Sequence, residues 1–249
     1  MPVRLLNQQN DLSVLPARYW HELARPAPPH SYNRPPNHNK GAAVQSDLLF
    51  IRNRALAFLG CAAFLSAMMG LVFIDVRWMN DAVHETSFTE VAQEVMLLVI
   101  ALLYFSRAWR QATVRSLYVL VGGFFSCMLI RETDFLFDEL SHGSWVWFAL
   151  AMTLVCVGIA LRHPRQIISG LAAYLRHPGW GMMCAGMLTI LIFSRLFGQH
   201  DLWQHLMLDG YNRTVKNMAE EGCELLGYSL CLFSTCRYLF GADKLAQAA

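Results

Sequence analysis

Apolar positions in this chain fall into six long runs, at residues 55–74, 88–106, 116–137, 145–161, 179–198 and 216–240. Each run is close to the roughly 20 residues that an α-helix needs to cross a bilayer. The runs are continuous and do not alternate with period two, so they read as helices and not as strands of a barrel. The pattern predicts an all-α, polytopic integral membrane helix bundle with six transmembrane helices. Polar flanks divide the chain further. Residues 1–50 hold seven of the nine prolines and form a Pro-rich tail too polar to build a core. Residues 51–241 form the transmembrane domain, and residues 242–249 a short C-terminal tail.

Local spacing adds detail. Ala62, Ser66 and Gly70 recur every four residues on the first span, and Gly181 and Ala185 do so on the fifth. Small residues on one face predict close helix approach at both places. The tetrad Leu-Arg-His-Pro occurs at 161–164 and again at 175–178. Between the copies, Ile167, Ile168, Leu171 and Tyr174 predict a short amphipathic helix lying in the membrane interface. His163 and His177 precede prolines and read as loop residues. Asn212-Arg213-Thr214 matches a glycosylation sequon.

Charge orients the bundle. The net charge is only +2, but fifteen of the 20 Lys and Arg residues fall in the N-terminal segment, the second and fourth connections and the C-terminal end. The positive-inside rule therefore predicts that both termini are cytoplasmic, in a multi-pass protein of the plasma (bacterial inner) membrane. Fourteen of the 18 acids lie at or near the opposite, outer face. All seven cysteines fall within spans and read as small hydrophobes, with no CxxC pair.

The acids concentrate where four spans meet the outer face. Glu90 and Glu94 sit one turn apart at the start of the second span. Arg131, Asp134 and Asp138 form a stripe at the end of the third, from which Glu132 points about a quarter turn away. Arg195 ends the fifth span, and Lys216, Glu220, Glu221 and Glu224 open the sixth. Helix rise places these groups in roughly the outer third of the membrane. Ionisable groups at such a depth mark a functional site. The inner halves of the spans read as nearly free of charge and dry.

Seven acids (Glu90, Glu94, Glu132, Asp134, Glu220, Glu221 and Glu224) face only Arg131, Arg195 and Lys216 in this pattern. That excess points to a bound cation, with a divalent metal as the candidate cofactor. The candidate ligands are Glu90, Glu94, Asp134, Glu220, Glu221, Glu224, His84, His142 and His200. Candidate catalytic groups are Glu94, Asp134 and Glu221 for proton transfer, with Arg131 and Arg195 to orient them or hold an anionic headgroup. The sequence holds neither an HExxH motif, nor a nucleophile elbow, nor a phosphate loop, and Glu-x-x-His occurs once, at Glu139–His142, where di-iron bundles need it on two helices.

The expected function is a cation-dependent membrane enzyme acting on a lipid or lipid-linked substrate. The alternatives are a cation- or proton-coupled transporter or channel, which needs a polar route inward, and a non-catalytic assembly subunit. Membrane lipid is the expected partner, with a protein partner for the Pro-rich tail. No nucleic-acid partner is expected.

Overall fold

The computed structural model describes residues 39–78, 87–139 and 141–246, and every regular element among them is helical. The Pro-rich segment up to residue 38 lies outside the described residues, as does His84. The chain divides into two compact units, Met1–Arg54 and Ala55–Ala249. In the first, the described part is helical from Asn39 onward, with Leu48, Phe50 and Ile51 exposed.

The elements, in chain order, are α1 (Asn39–Trp78), α2 (Phe88–Arg110), α3 (Arg115–Glu132), the short α4 (Asp134–Asp138), α5 (Trp145–Ala160), α6 (Pro164–Arg176), α7 (Trp180–Leu188), α8 (Ser194–Phe197), α9 (His200–Met207) and α10 (Arg213–Ala246). Three segments are long and apolar enough to cross a membrane: Val44–Arg77, Phe88–Arg110 and Trp180–Phe197. The bent pair α5 and α6 makes a fourth if taken together. These helices mark the chain as a membrane protein. The third and sixth runs are not among them. α3 stops at Glu132, where Thr133 Oγ1 donates to Leu129 O (2.9 Å), and α10 carries several charges in its first turns.

The helices alternate in direction, so their chemistry sorts to two ends. At the basic end, Arg115 Nε donates to Ala108 O at 3.1 Å, and the Arg107 guanidinium lies 5.5 Å from the Phe240 ring. Pro164 opens α6 at its first turn, where a missing N–H costs nothing. α6 turns 99° away from α5, so it runs across the end of the bundle. The following joint is fixed by His177, whose Nδ1 accepts from Gly179 N (3.0 Å) and whose ring packs edge-on against Tyr238. Burial, and then the Arg237 guanidinium, hold this imidazole below its ordinary value.

Close packing falls at other glycines than the spacing predicts. A Cβ at Gly70 or Gly181 meets nothing within 4 Å. A Cβ at Gly186 of α7 comes within 2.8 Å of Gly227 O of α10, and one at Gly123 of α3 within 2.5 Å of Cys156 Sγ of α5. Spacing identifies a small-residue face but not whether a neighbour covers it. All seven cysteines are free thiols.

α1 is fastened to the bundle chiefly at its end. Asp75 is fully buried, and its carboxylate accepts from Phe88 N (3.0 Å), Thr89 N (2.9 Å) and Thr89 Oγ1 (2.6 Å). A carboxylate there satisfies orphan N–H groups and complements the positive end of the α2 dipole. Further along, the rings of Phe64 and Phe233 meet edge-on at 5.2 Å. Asp75→Ala should lower unfolding stability in detergent by about 1–3 kcal/mol, because it strips a buried cap. A change below about 0.3 kcal/mol by denaturant titration would show that the cap is dispensable. An NMR titration of His177 should have its midpoint below 6.5 and move upward in Arg237→Gln, whereas a midpoint at or above 6.5 contradicts this packing.

Candidate functional site

The acidic end of the bundle is assembled from α2, α3, α8 and α10. Helix α10 is the hub. Its residues Glu221, Glu224, Tyr228, Cys231, Thr235 and Tyr238 follow one another at intervals of three and four, so they form one stripe. From Glu224 onward every member of the stripe is buried.

Arg195, at the end of the α7–α8 segment, reaches two carboxylates on this helix. Its Nη2 contacts Glu224 Oε1 directly, and its Nη1 lies 3.5 Å from Glu220 Oε1. Glu224 is only 3% exposed, so it depends on this guanidinium. Lys216 Nζ holds the second Glu220 oxygen at 2.9 Å and donates to Gly198 O at 3.2 Å. On the opposite wall, Arg131 Nη2 pairs with its neighbour Glu132 at 2.6 Å, and the same Glu132 oxygen accepts from Tyr228 Oη at 2.6 Å. The buried Gln93 amide on α2 donates to Glu221 Oε2 (2.9 Å) and to Glu221 O (3.2 Å). Glu94 lies within electrostatic reach of Glu132, as Asp134 does of Arg131.

A cavity of about 240 Å³ opens among these groups. Arg131, Glu132, Arg195 and Tyr228 supply its polar wall, and Phe124, Met128, Ile190 and Leu191 its apolar wall. Both arginines keep part of their surface open, at 43% and 46% exposure of the side chain. Ile190 and Leu191 belong to a π-helical turn, Thr189–Phe193, that interrupts the span just before Arg195. Such turns recur at functional sites because they re-aim the following residues.

The structure departs from the expected site in several ways. The Arg131, Asp134 and Asp138 stripe is broken at Thr133, so Arg131 pairs with Glu132 instead. Asp138 is bound to its own turn, accepting from Gly143 N at 2.8 Å and lying 2.9 Å from His142 Nδ1. His142 is 98% exposed. His200 hydrogen-bonds Tyr211 Oη at 2.7 Å on the exposed surface. Neither histidine joins Glu90, Glu94, Asp134, Glu220, Glu221 or Glu224. Among the described residues no group of three or more His, Cys, Asp and Glu side chains comes together as a metal would require. The expected metal set of Glu90, Glu94, Asp134, Glu220, Glu221 and Glu224 does not assemble. Arginine, lysine and glutamine take the carboxylate oxygens of Glu220, Glu221 and Glu224, while Glu90 is held half-buried on α2.

Tyr228 emerges as a member of the network that charge counting left aside, and Glu132, Gln93 and Lys216 as members outside the expected catalytic and metal sets. Toward the basic end of the bundle the buried polar groups are uncharged. Tyr104, Tyr174, Ser234 and Thr235 are buried there, with Ser234 Oγ donating to Gly179 O at 2.8 Å. The three-and-four spacing of polar residues on α10 is the signal that would have found both Tyr228 and Thr235. Comparison with protein-family models, curated proteins and solved structures finds no match to this chain.

Replacing Arg195 by Gln strands a buried carboxylate, which should destabilise the protein by about 3–5 kcal/mol. Adding Glu224→Gln removes the stranded charge and should restore at least half of the loss. A strictly additive double variant, measured by denaturant titration, would show that the two side chains are not coupled.

Proposed function

We propose that this chain is a six-span membrane enzyme that acts on a lipid or lipid-linked molecule with an anionic headgroup, at a site in the outer third of the bilayer. Six spans follow if α3 with α4 and α10 cross alongside α1, α2, α5 and the α7–α8 segment. The basic residues at one end of the bundle then place both termini on the cytoplasmic side of the plasma (bacterial inner) membrane.

The observation that carries the reading is the cavity whose lining joins two half-open arginines to apolar side chains. Guanidinium groups suit phosphate and carboxylate oxygens, which they bind as a planar fork. An apolar wall beside them suits a ligand that arrives from lipid and not from water. Glu132 with Tyr228 forms a proton-transfer pair at the cavity edge, because their oxygens already share a hydrogen bond. Glu94 and Glu221 lie next to this pair and serve as its electrostatic partners. The carboxylates are engaged by basic and amide side chains, so the reading rests on the arginines and not on a cation.

A second reading is favoured by the same ion pairs. Arg131, Arg195 and Lys216 each hold a glutamate, which also describes the internal fastening of a non-catalytic assembly subunit. The two readings differ in ligand selectivity. By native mass spectrometry, the purified protein should retain phosphatidic acid at least about tenfold better than phosphatidylcholine, and Arg131→Gln should abolish the difference. One charge-assisted hydrogen bond is worth about 1.5–3 kcal/mol, enough for such a ratio. Equal retention of both lipids by the unaltered protein would sink the enzyme reading and favour the assembly subunit.

A further inference from the structure

Helices α3 and α7 each carry a long apolar stripe that ends in an arginine. On α3 the stripe runs through Leu117, Leu120, Phe124 and Met128 to Arg131, and on α7 through Trp180, Met183, Met187 and Ile190 towards Arg195. The intervals of three and four put each set on one helix face. The two stripes do not close on each other. α3 packs on α2, α5 and α6, and α7 packs on α10 and on the start of the π-helical turn, while any approach between the backbones of α3 and α7 is slight. Between them lie two cavities, one of about 260 Å³ lined by Leu117, Phe124, Met183 and Met187, and the charged one of about 240 Å³. Phe124 lines both, so the two cavities adjoin at its ring, and together they are taken as one groove.

The groove has a head, a body and an end. Its head is Arg131 and Arg195. Its body follows α3 for the fourteen residues from Leu117 to Arg131, about 21 Å at 1.5 Å per residue. Its far end is crossed by α6, which contributes Leu171 and Tyr174 to the lining. Phe124 and Leu191 are half-exposed, so the groove is open sideways where lipid would lie.

We infer that this groove binds one long apolar chain of an anionic lipid, head on the arginines and tail running down between α3 and α7 to α6. The inference rests on the headgroup reading above and adds to it the substrate class: a long-chain amphiphile bound lengthwise, with α6 limiting the depth that the tail reaches. Charge complementarity selects the occupant. A neutral apolar chain leaves two half-open guanidinium groups facing hydrocarbon, and a soluble anion leaves the apolar body unfilled. The phosphate of a phospholipid and the carboxylate of a fatty acid share the chemistry that the head requires.

Photolabelling of the full chain in nanodiscs tests the geometry, using phosphatidic acid and a fatty acid with a diazirine at the chain terminus or near the head. The head-proximal probe should label peptides containing Met128 and Leu191, and the terminal probe those containing Leu171, Tyr174 and Trp180. Stronger labelling by one of the two lipids identifies the headgroup. Leu120→Trp fills the middle of the groove from one wall and Met187→Trp from the other. Either should cut terminal labelling at least fivefold and leave head-proximal labelling less affected, and two variants on different helices guard against one that fails to fold. Terminal labelling spread evenly onto the lipid-facing Phe58 and Leu154 would overturn the groove, even with Arg131-dependent retention intact. Terminal labelling that is equal for phosphatidylcholine and unmoved by Arg131→Gln would instead overturn the headgroup reading, and this occupant with it.

Discussion

A buried carboxylate in an apolar bundle must be neutralised, and the contact between Glu224 and Arg195 does this for the helix on which the rest of the site is built. Both residues come from segments whose remaining contact is largely apolar, with Glu220, Lys216 and Ser234 of α10 adding polar contacts at the two ends. Hydrocarbon offers little driving force between such helices, because lipid tails are as apolar as their side chains. A charge pair with an almost fully buried carboxylate supplies direction as well as attraction. It sets the register of α10 against the α7–α8 segment, and Gly186 and Gly227 then let the two backbones approach. With that register fixed, Tyr228 meets Glu132 and Glu221 meets Gln93. The two arginines are left facing a common space.

The same arrangement explains why the site is an arginine site. Free carboxylates in excess would have favoured a cation. In the folded chain the glutamates of α10 are taken up by Arg195, Lys216 and Gln93, and Glu132 by Arg131 and Tyr228. What remains open toward the cavity is guanidinium surface bordered by Phe124, Met128 and Leu191. The proposal of an anionic amphiphile rests on this imbalance: the acids are satisfied internally while the arginines keep part of their surface open.

Much of this was legible in the chain. The apolar runs gave the helical class, and the antiparallel order of helices followed from their succession. The position of the charges along each run then placed Glu94, Arg131, Arg195 and Glu221 at one end. The amphipathic stretch between the two Leu-Arg-His-Pro tetrads became α6, a helix bent 99° from α5. Other features were not legible because they depend on which faces meet. Glu132 looked displaced from the Arg131 stripe, but the break at Thr133 makes it the partner. Gly70 and Gly181 looked like packing sites and have no neighbour, whereas Gly186 and Gly227 do.

Sequence by itself determined the helices, their apolar character and the end of the bundle that gathers the charges, because these follow from local period and from the cost of charge in lipid. Only the tertiary structure decided which acid meets which base, and so whether the cluster favours a cation or an anion. Ion pairing depends on helix rotation to within one residue, about 100° of turn, and that rotation is set by contacts between segments far apart in the chain. The groove between α3 and α7 is likewise a tertiary property. It exists because both helices pack on other partners and leave their arginine-tipped apolar stripes facing each other.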